Sequence, residues 1–329
     1  MTKNIAAKGK HNKLSRTATI LTVLLLFSFV FNSEASYSQT IDFQIRPTLL
    51  EIQAKPDSQL TYTYNASGTK NTIYYIENKS FKPKGETGNL EVFENDAEFL
   101  DWITYTPSKI TFKETGEIKT FEMKIDIPDY AEIKDYTFVT IMASEKTEEN
   151  NSNALLSGEI QAPVLLSVED YKNPAKRKGE INQFSTPFIW FGTPIDFILK
   201  IKNTGNLRFK SNGHVEIENL IIPNKTETIN LLPQNILANS IRQIDNDIDN
   251  LEKGKPPTVK WKTSTLLGIF RAKTIVKYPS KSSSNELILE SHPIIFVVVH
   301  RFLVAIFLIL TILLMFIYRY KHKHKKKKS

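Results

Sequence analysis

FEMKIDIPDYAEIKDYTFVTIMAS, residues 121–144, decides the fold. Phe121 to Ile127 reads as one strand and Tyr136 to Ser144 as another, with Pro128 to Asp135 as the loop between them. β-Branched and aromatic residues fill both runs, and the loop takes the proline and most of the charge, which is a strand–turn–strand pattern. The same punctuation continues upstream. Ile41 to Ile45, Leu49 to Ile52, Gln59 to Asn65, Thr72 to Asn78, Thr104 to Thr106 and Lys109 to Phe112 are short strand candidates. Lys55-Pro-Asp-Ser58 is a turn, and Asn95 to Ile103 is the one helix-like stretch of this half, with Trp102 expected to pack under a sheet edge. Ala154 to Asp170 adds one or two more strands. Seven or eight strands without a long helical period predict an antiparallel β-sandwich over residues 36–170.

Tyr171 to Gly179 (YKNPAKRKG) is polar, basic and contains proline and glycine, which marks a linker between domains. A second series follows: Ile181 to Phe184, Ile195 to Asn203, Gly213 to Leu220, Thr226 to Leu231, Ser240 to Ile244, Thr258 to Thr263, Gly268 to Tyr278 and Leu287 to Val299. Pro293 divides the last of these. Thr204-Gly-Asn206 and Ser211-Asn-Gly213 read as turns, and Asp245 to Lys255 as an acidic, mobile loop. Residues 180–299 therefore predict a second sandwich of the same class. The fold class expected is all-β: two consecutive immunoglobulin-like β-sandwiches plus one C-terminal transmembrane helix.

That helix is Phe302 to Tyr318 (FLVAIFLILTILLMFIY), which holds no charged residue. At 1.5 Å per residue it spans roughly 25 Å, near the short end of what crosses a bilayer. The tail from 319 to 329 contains Arg319, Lys321, Lys323, Lys325, Lys326, Lys327 and Lys328 and no acid. This places the tail in the cytoplasm, with these seven cations against anionic lipid headgroups. At the other end, Met1 to Arg16 is basic, Thr17 to Phe31 is apolar, and Ser33-Glu-Ala35 offers a cleavage site after Ala35. Residues 1–35 have the layout of a signal peptide, with an uncleaved anchor as the alternative. Either way residues 36–301 are expected outside the cell with the C-terminus inside, and with the signal removed the chain is a single-pass membrane protein.

The net charge of +8 follows the topology signals. The tail supplies +7 and the first 35 residues +4, so residues 36–318 carry −3. That balance excludes nucleic acid as the partner. The chain has no cysteine, so its exported part must be held by core packing, and thiol catalysis and thiolate metal sites are excluded. A disulfide-free exported chain fits a bacterial envelope protein.

Several segments together resemble the WxL-interacting protein family of Gram-positive bacteria. Phe43 to Pro47 followed by Leu50-Glu-Ile-Gln-Ala-Lys-Pro56 is similar to its opening strands. Ile125-Asp-Ile-Pro128 and Tyr136-Thr-Phe-Val-Thr-Ile141 resemble the later part of its first domain. Phe197 to Asn206, ending Asn-Thr-Gly-Asn, together with Gly213-His-Val-Glu-Ile217 resembles the strand and turn of its second domain, and Asn235 to Arg242 is a fainter match. The resemblance implies a non-enzymatic surface protein whose first domain is associated with peptidoglycan and whose second binds a host or partner protein.

No catalytic, cofactor or metal constellation stands out. His214, His292 and His300 are dispersed, and no His-Glu-x-x-His or Gly-x-Ser-x-Gly occurs. Asp245, Asp247 and Asp249 alternate, but the glycine and distal glutamate of a calcium loop are missing at their offsets. The cluster Phe184, Phe188, Trp190 and Phe191, braced by Pro187 and Pro194, is open to three roles: core packing between sheets, a seam between domains, or an exposed patch for a protein partner. The function expected is a membrane-anchored surface protein that binds cell-wall polymer or another exported protein. The alternative is an accessory subunit of an envelope assembly or secretion complex.

Overall fold

The computed structural model describes residues 43–325 apart from 95–96, 115, 145–157, 171–176, 223–224, 248–254 and 280–285. The signal segment, its cleavage point after Ala35, and Lys326, Lys327 and Lys328 lie outside the described residues. The first sandwich contains β1 (Gln44–Arg46), β2 (Leu50–Ala54), β3 (Ser58–Ser67), β4 (Ile73–Lys84), β5 (Asn89–Phe93), β6 (Ile103–Thr106), β7 (Lys109–Thr111), β8 (Ile118–Ile127), β9 (Asp135–Ser144) and β10 (Glu159–Val168). One sheet has the order β1-β3-β8-β6, and the other β2-β10-β9-β4-β5 with β7 also on β4. A 3₁₀ turn, Glu98–Trp102, stands where the sequence suggests helix. Trp102 is half-buried at the core margin, 5.0 Å from the Tyr136 ring.

The two strands of the deciding stretch behave differently, and burial explains why. In β8 only Phe121, Met123, Ile125 and Ile127 are buried, the alternation of a strand with one wet face. In β9 every residue from Tyr136 to Met142 except Thr137 is buried. One face of β9 packs into the sandwich through Phe138, and the other carries Val139 and Ile141 into a separate cluster with Phe81, Leu165 and Leu237. Leu237 belongs to the second sandwich, so that sandwich covers the outer face of this sheet.

The second sandwich contains β11 (Gly179–Ser185), β12 (Ile189–Phe191), β13 (Ile195–Asn203), β14 (Phe209–Asn219), β15 (Thr226–Asn230), β16 (Gln234–Ile236), β17 (Ile241–Gln243), β18 (Val259–Trp261), β19 (Leu267–Pro279), β20 (Glu286–Glu290) and β21 (Ile294–Val299). Its sheets are β11-β13-β17 with β18 on β13, and β12-β21-β19-β14-β15 with β16 on β14 and β20 on β19. Both sandwiches open in the same way. The first strand pairs antiparallel in one sheet (β1 with β3, β11 with β13), then the chain crosses and pairs parallel with the last strand of the other (β2 with β10, β12 with β21). Pro293 does split the last run, and Ser291 there exchanges hydrogen bonds with Thr274 at 3.0 Å in each direction.

Two expectations are corrected. Ser211-Asn-Gly213 is no turn: it lies inside β14, where Gly213 lets the Ile275 carbonyl approach so closely that a Cβ would stand 2.2 Å from it. Asp245, expected at the start of a mobile acidic loop, is fully buried and accepts the N–H groups of Asn246 at 2.7 Å and Asp247 at 2.9 Å. After β21 and a single residue, His300, the chain enters α1 (Arg301–Lys325). Arg301–Arg319 of this helix is long and apolar enough to cross a membrane, with mean hydropathy 2.6 and none of it buried against the rest of the chain.

Phe296 is buried at the centre of the second core, its ring 5.5 Å from Phe197, 5.7 Å from Phe270 and 6.1 Å from Trp261. Phe296→Ala is expected to cost about 3–5 kcal/mol of stability in denaturant unfolding of the solubilised protein. A loss below about 1 kcal/mol would contradict this core.

Candidate functional site

The most elaborate polar arrangement among the described residues lies between the sandwiches, and it begins with one asparagine. Asn203 is fully buried at the end of β13. Its side-chain amide donates to the carbonyls of Leu207 (2.9 Å) and Ile236 (3.0 Å), and its Oδ1 accepts the Gly205 N–H at 2.9 Å. These bonds shape the turn 204–208, and the turn carries Asn206 and Arg208 to the first sandwich. Asn206 Nδ2 donates to the Ile133 carbonyl at 2.9 Å, and the Asp135 N–H donates back to the Asn206 carbonyl at 3.3 Å.

Arg208 then enters the seam with its side chain only 8% exposed. Nη1 lies 3.2 Å from Glu51 Oε2 and 3.4 Å from Asn235 Oδ1, and Nη2 donates to the Leu165 carbonyl at 3.3 Å. Its backbone N–H donates to Asp135 Oδ2, whose Oδ1 accepts Ser167 Oγ at 2.6 Å. Asn235 Nδ2 donates to Glu51 Oε1 at 2.8 Å, and Lys210 Nζ stands 3.5 Å from the same oxygen. Arg177, 3% exposed, donates through Nε to the Arg208 carbonyl at 3.1 Å and pairs with Glu169. A second contact reinforces the seam: the Gln243 N–H donates to the Glu86 carbonyl at 2.7 Å, and Lys200 pairs with the Glu86 carboxylate at 2.5 Å.

A cleft of about 380 Å³ opens on this network, lined by Glu51, Gln53, Ser167, Arg177, Arg208 and Lys210. The charges decide its character. Arg177, Arg208 and Lys210 face Glu51, Asp135 and Glu169, so the network is neutral overall and acts as a self-neutralised lock between domains. Burial pushes the Glu51 carboxyl up, but its bond from Asn235 and the charges of Arg208 and Lys210 outweigh this and hold it below the ordinary range. Burial dominates at Asp135 and keeps its carboxyl above the ordinary range despite Ser167 and Arg208.

The aromatic cluster divides. Phe184 is half-buried and stacks on Phe197 at 5.7 Å, and Trp190 packs on the same core with its indole N–H donating to Thr186 Oγ1 at 2.7 Å. Phe188 and Phe191 point outward, 63% and 55% exposed. Of the basic tail, Arg319 is exposed at the end of the apolar helix, and Lys321, Lys323 and Lys325 continue the helix beyond it. Among the described residues no group of three or more histidines and acids could hold a metal.

These features define a tandem immunoglobulin-like β-sandwich protein with a C-terminal apolar helix. No protein-family model and no curated protein matches the chain. Solved structures do. The chaperone–tip adhesin complex of CFA/I fimbriae biogenesis is 12% identical with a TM-score of 0.41, covering 77% of this chain and 99% of that one. The class 5 fimbriae chaperone CfaA is 14% identical with a TM-score of 0.41, covering 77% and 100%. The CsuC–CsuE pre-assembly complex of Acinetobacter baumannii is 14% identical with a TM-score of 0.33, covering 63% and 91%.

Arg208→Ala removes the cation from between Glu51 and Asp135, and is expected to destabilise the protein by about 3–5 kcal/mol. A change under about 1 kcal/mol in denaturant unfolding would contradict the lock. The two carboxyls give opposite pH signs. The Glu51 contribution is present above the ordinary glutamate pKa and lost as pH falls through its lowered value, whereas Asp135 costs stability as pH rises from the ordinary aspartate value to its raised one. In unfolding midpoints measured against pH, Glu51→Gln should flatten the acid limb. Asp135→Asn should gain on the parent as pH rises through that second window. Profiles parallel to the parent's would contradict both assignments.

Proposed function

We propose that this chain is a membrane-anchored, surface-displayed binding protein without catalytic turnover, recognising cell-wall peptidoglycan or another exported protein. The observation that carries the reading is mechanical continuity. β21 ends at Val299, only His300 intervenes, and the apolar helix begins at Arg301. Arg301 Nε donates back to the Phe191 carbonyl at 3.0 Å, and the Gly192 N–H to the Val299 carbonyl at 3.1 Å, so the helix leaves a braced sheet end. The Arg208 seam then ties the second sandwich to the first. A chain so built holds its first sandwich at a set position relative to the anchor, as recognition of a fixed envelope polymer requires. Membership of the WxL-interacting family belongs to the same proposal, with the first sandwich as the peptidoglycan module. Neighbouring reading frames encoding exported Trp-x-Leu proteins would support that membership.

The binding test uses the full chain in detergent with insoluble peptidoglycan. Sedimentation with the polymer, reduced by soluble wall fragments, is the result expected. If the chain stays in the supernatant but recovers exported or membrane proteins after cross-linking in cells, wall recognition fails. Recovery that is lost when the helix is exchanged for an unrelated one would favour the accessory-subunit reading.

A further inference from the structure

The outer face of the sheet β12-β21-β19-β14-β15 changes character along its length, and the register shows where. Phe191, Val299 and Leu267 are partners across the row nearest the helix. Ile189, Val297 and Ile269 form the next row, and the Leu220 N–H donates to the Ile269 carbonyl beside them at 2.9 Å. All seven are apolar, and Phe191 and Leu267 are more than half exposed, at 55% and 59%. The third row brings charge: Ile295 is followed by Arg271 and Glu218, paired at 2.8 Å. In the fourth, Lys273 pairs with Glu216 at 3.1 Å.

The same end carries a fixed apolar turn. Asn219 is buried, and its Oδ1 accepts the N–H groups of both Ile221 and Ile222 at 2.9 Å, which leaves those two side chains exposed past the end of β14. Leu266 is exposed as well, its carbonyl accepting the His300 N–H at 2.7 Å. So the two helix-proximal rows and the turn form one apolar area at the end from which the helix departs, with His300 and Arg301 between it and the uncharged run that begins at Phe302, while Ile288 is a separate exposed apolar residue toward the other end.

Lengths point to what covers it. Rows on one face are two residues apart, roughly 7 Å, so the apolar zone is about 7 Å deep and firm charge begins about 14 Å from the first row. The uncharged part of the helix, Phe302 to Tyr318, spans roughly 25 Å against a hydrocarbon thickness of about 30 Å. A short span draws its flanking residues toward the bilayer, and interfacial segments bury their apolar faces about 5–10 Å into the headgroup boundary. The two apolar rows, set beyond His300 and Arg301, match that interfacial depth, and Arg301 at the junction reaches headgroups as a flanking cation does.

We infer that the helix-proximal end of the second sandwich is seated in the lipid interface, with the first two rows and the turn at Leu220–Ile222 against lipid and the Arg271–Glu218 row at the water boundary. This rests on the reading of the helix as membrane-spanning, and the test separates the two. The chain has no cysteine, so single spin labels can be placed by Leu267→Cys, Ile222→Cys, Lys273→Cys and Leu310→Cys. The full chain is reconstituted in phosphatidylcholine–phosphatidylglycerol vesicles, and each label's collision with oxygen is compared with that of a water-soluble nickel chelate. Labels at 267, 222 and 310 should favour oxygen, with the oxygen-to-nickel ratio falling several-fold at 273. If 310 favours oxygen while 267 and 222 favour nickel, the seating is overturned and the anchor stands. If 310 favours nickel, both are overturned. Dipolar broadening at 267 and 222, with neither collider reaching them, would show a second copy covering the face and would also overturn the inference.

Discussion

Arg208 is the constraint on which the rest of the architecture depends. A guanidinium held this far from water is costly unless each side of it meets an acceptor. Glu51, Asn235 and the Leu165 carbonyl provide acceptors from both sandwiches for Nη1 and Nη2, Nε is buried without a partner, and the backbone of the same residue binds Asp135. The bonds to Glu51, the Leu165 carbonyl and Asp135 are lost if the domains part, whereas the contact with Asn235 lies within the second sandwich. An apolar cluster beside the ion pairs accompanies the burial of both faces of β9. Its outward residues Val139 and Ile141 pack with Phe81 and Leu165, and Val92 and Ala143 of the first sandwich and Leu237 of the second pack against that cluster. Polar lock and apolar cover therefore stabilise one relative placement of the two domains.

That placement gives the C-terminal helix its meaning. A helix one residue from a core strand, unlike one on a flexible tether, holds a set direction relative to the second sandwich. The braces at Phe191 and Val299 extend this from the last strand to its parallel neighbour. Along the outer face of the same sheet, apolar rows give way to ion pairs with distance from the helix, as a surface that passes from lipid to water would require. The neutral charge balance of the interdomain cleft agrees with a structural role for it.

Much of the fold is legible in the sequence because it is local. Alternation in Phe121 to Ile127, the break at Pro293 and the uncharged run after Arg301 each declare themselves within a few residues. Errors arise where tertiary contact overrides local chemistry. Asn212-Gly213 reads as a hairpin turn, but Gly213 is needed for backbone approach to Ile275 inside a long strand. Strands β5, β12 and β16, of five, three and three residues, are too short to announce a period. The seam is not legible at all, since Glu51 and Arg208 lie 157 residues apart. Its faint signals are an arginine set between Leu207 and Phe209 and an asparagine closing β13. The aromatic cluster could not be resolved from sequence for a related reason. Phe184 and Trp190 turn to the core while Phe188 and Phe191 turn away, an outcome set by the pairing of β11 with β13 and of β12 with β21.

The most direct test of a single rigid body is a distance across the seam. Spin labels at the exposed positions Glu122 in β8 and Thr228 in β15, introduced as cysteines in the otherwise cysteine-free full chain, report on both sandwiches at once. The account predicts one narrow distance distribution by double electron–electron resonance, unchanged between detergent and vesicles. A broad or multimodal distribution would show that the domains move independently, and would contradict it.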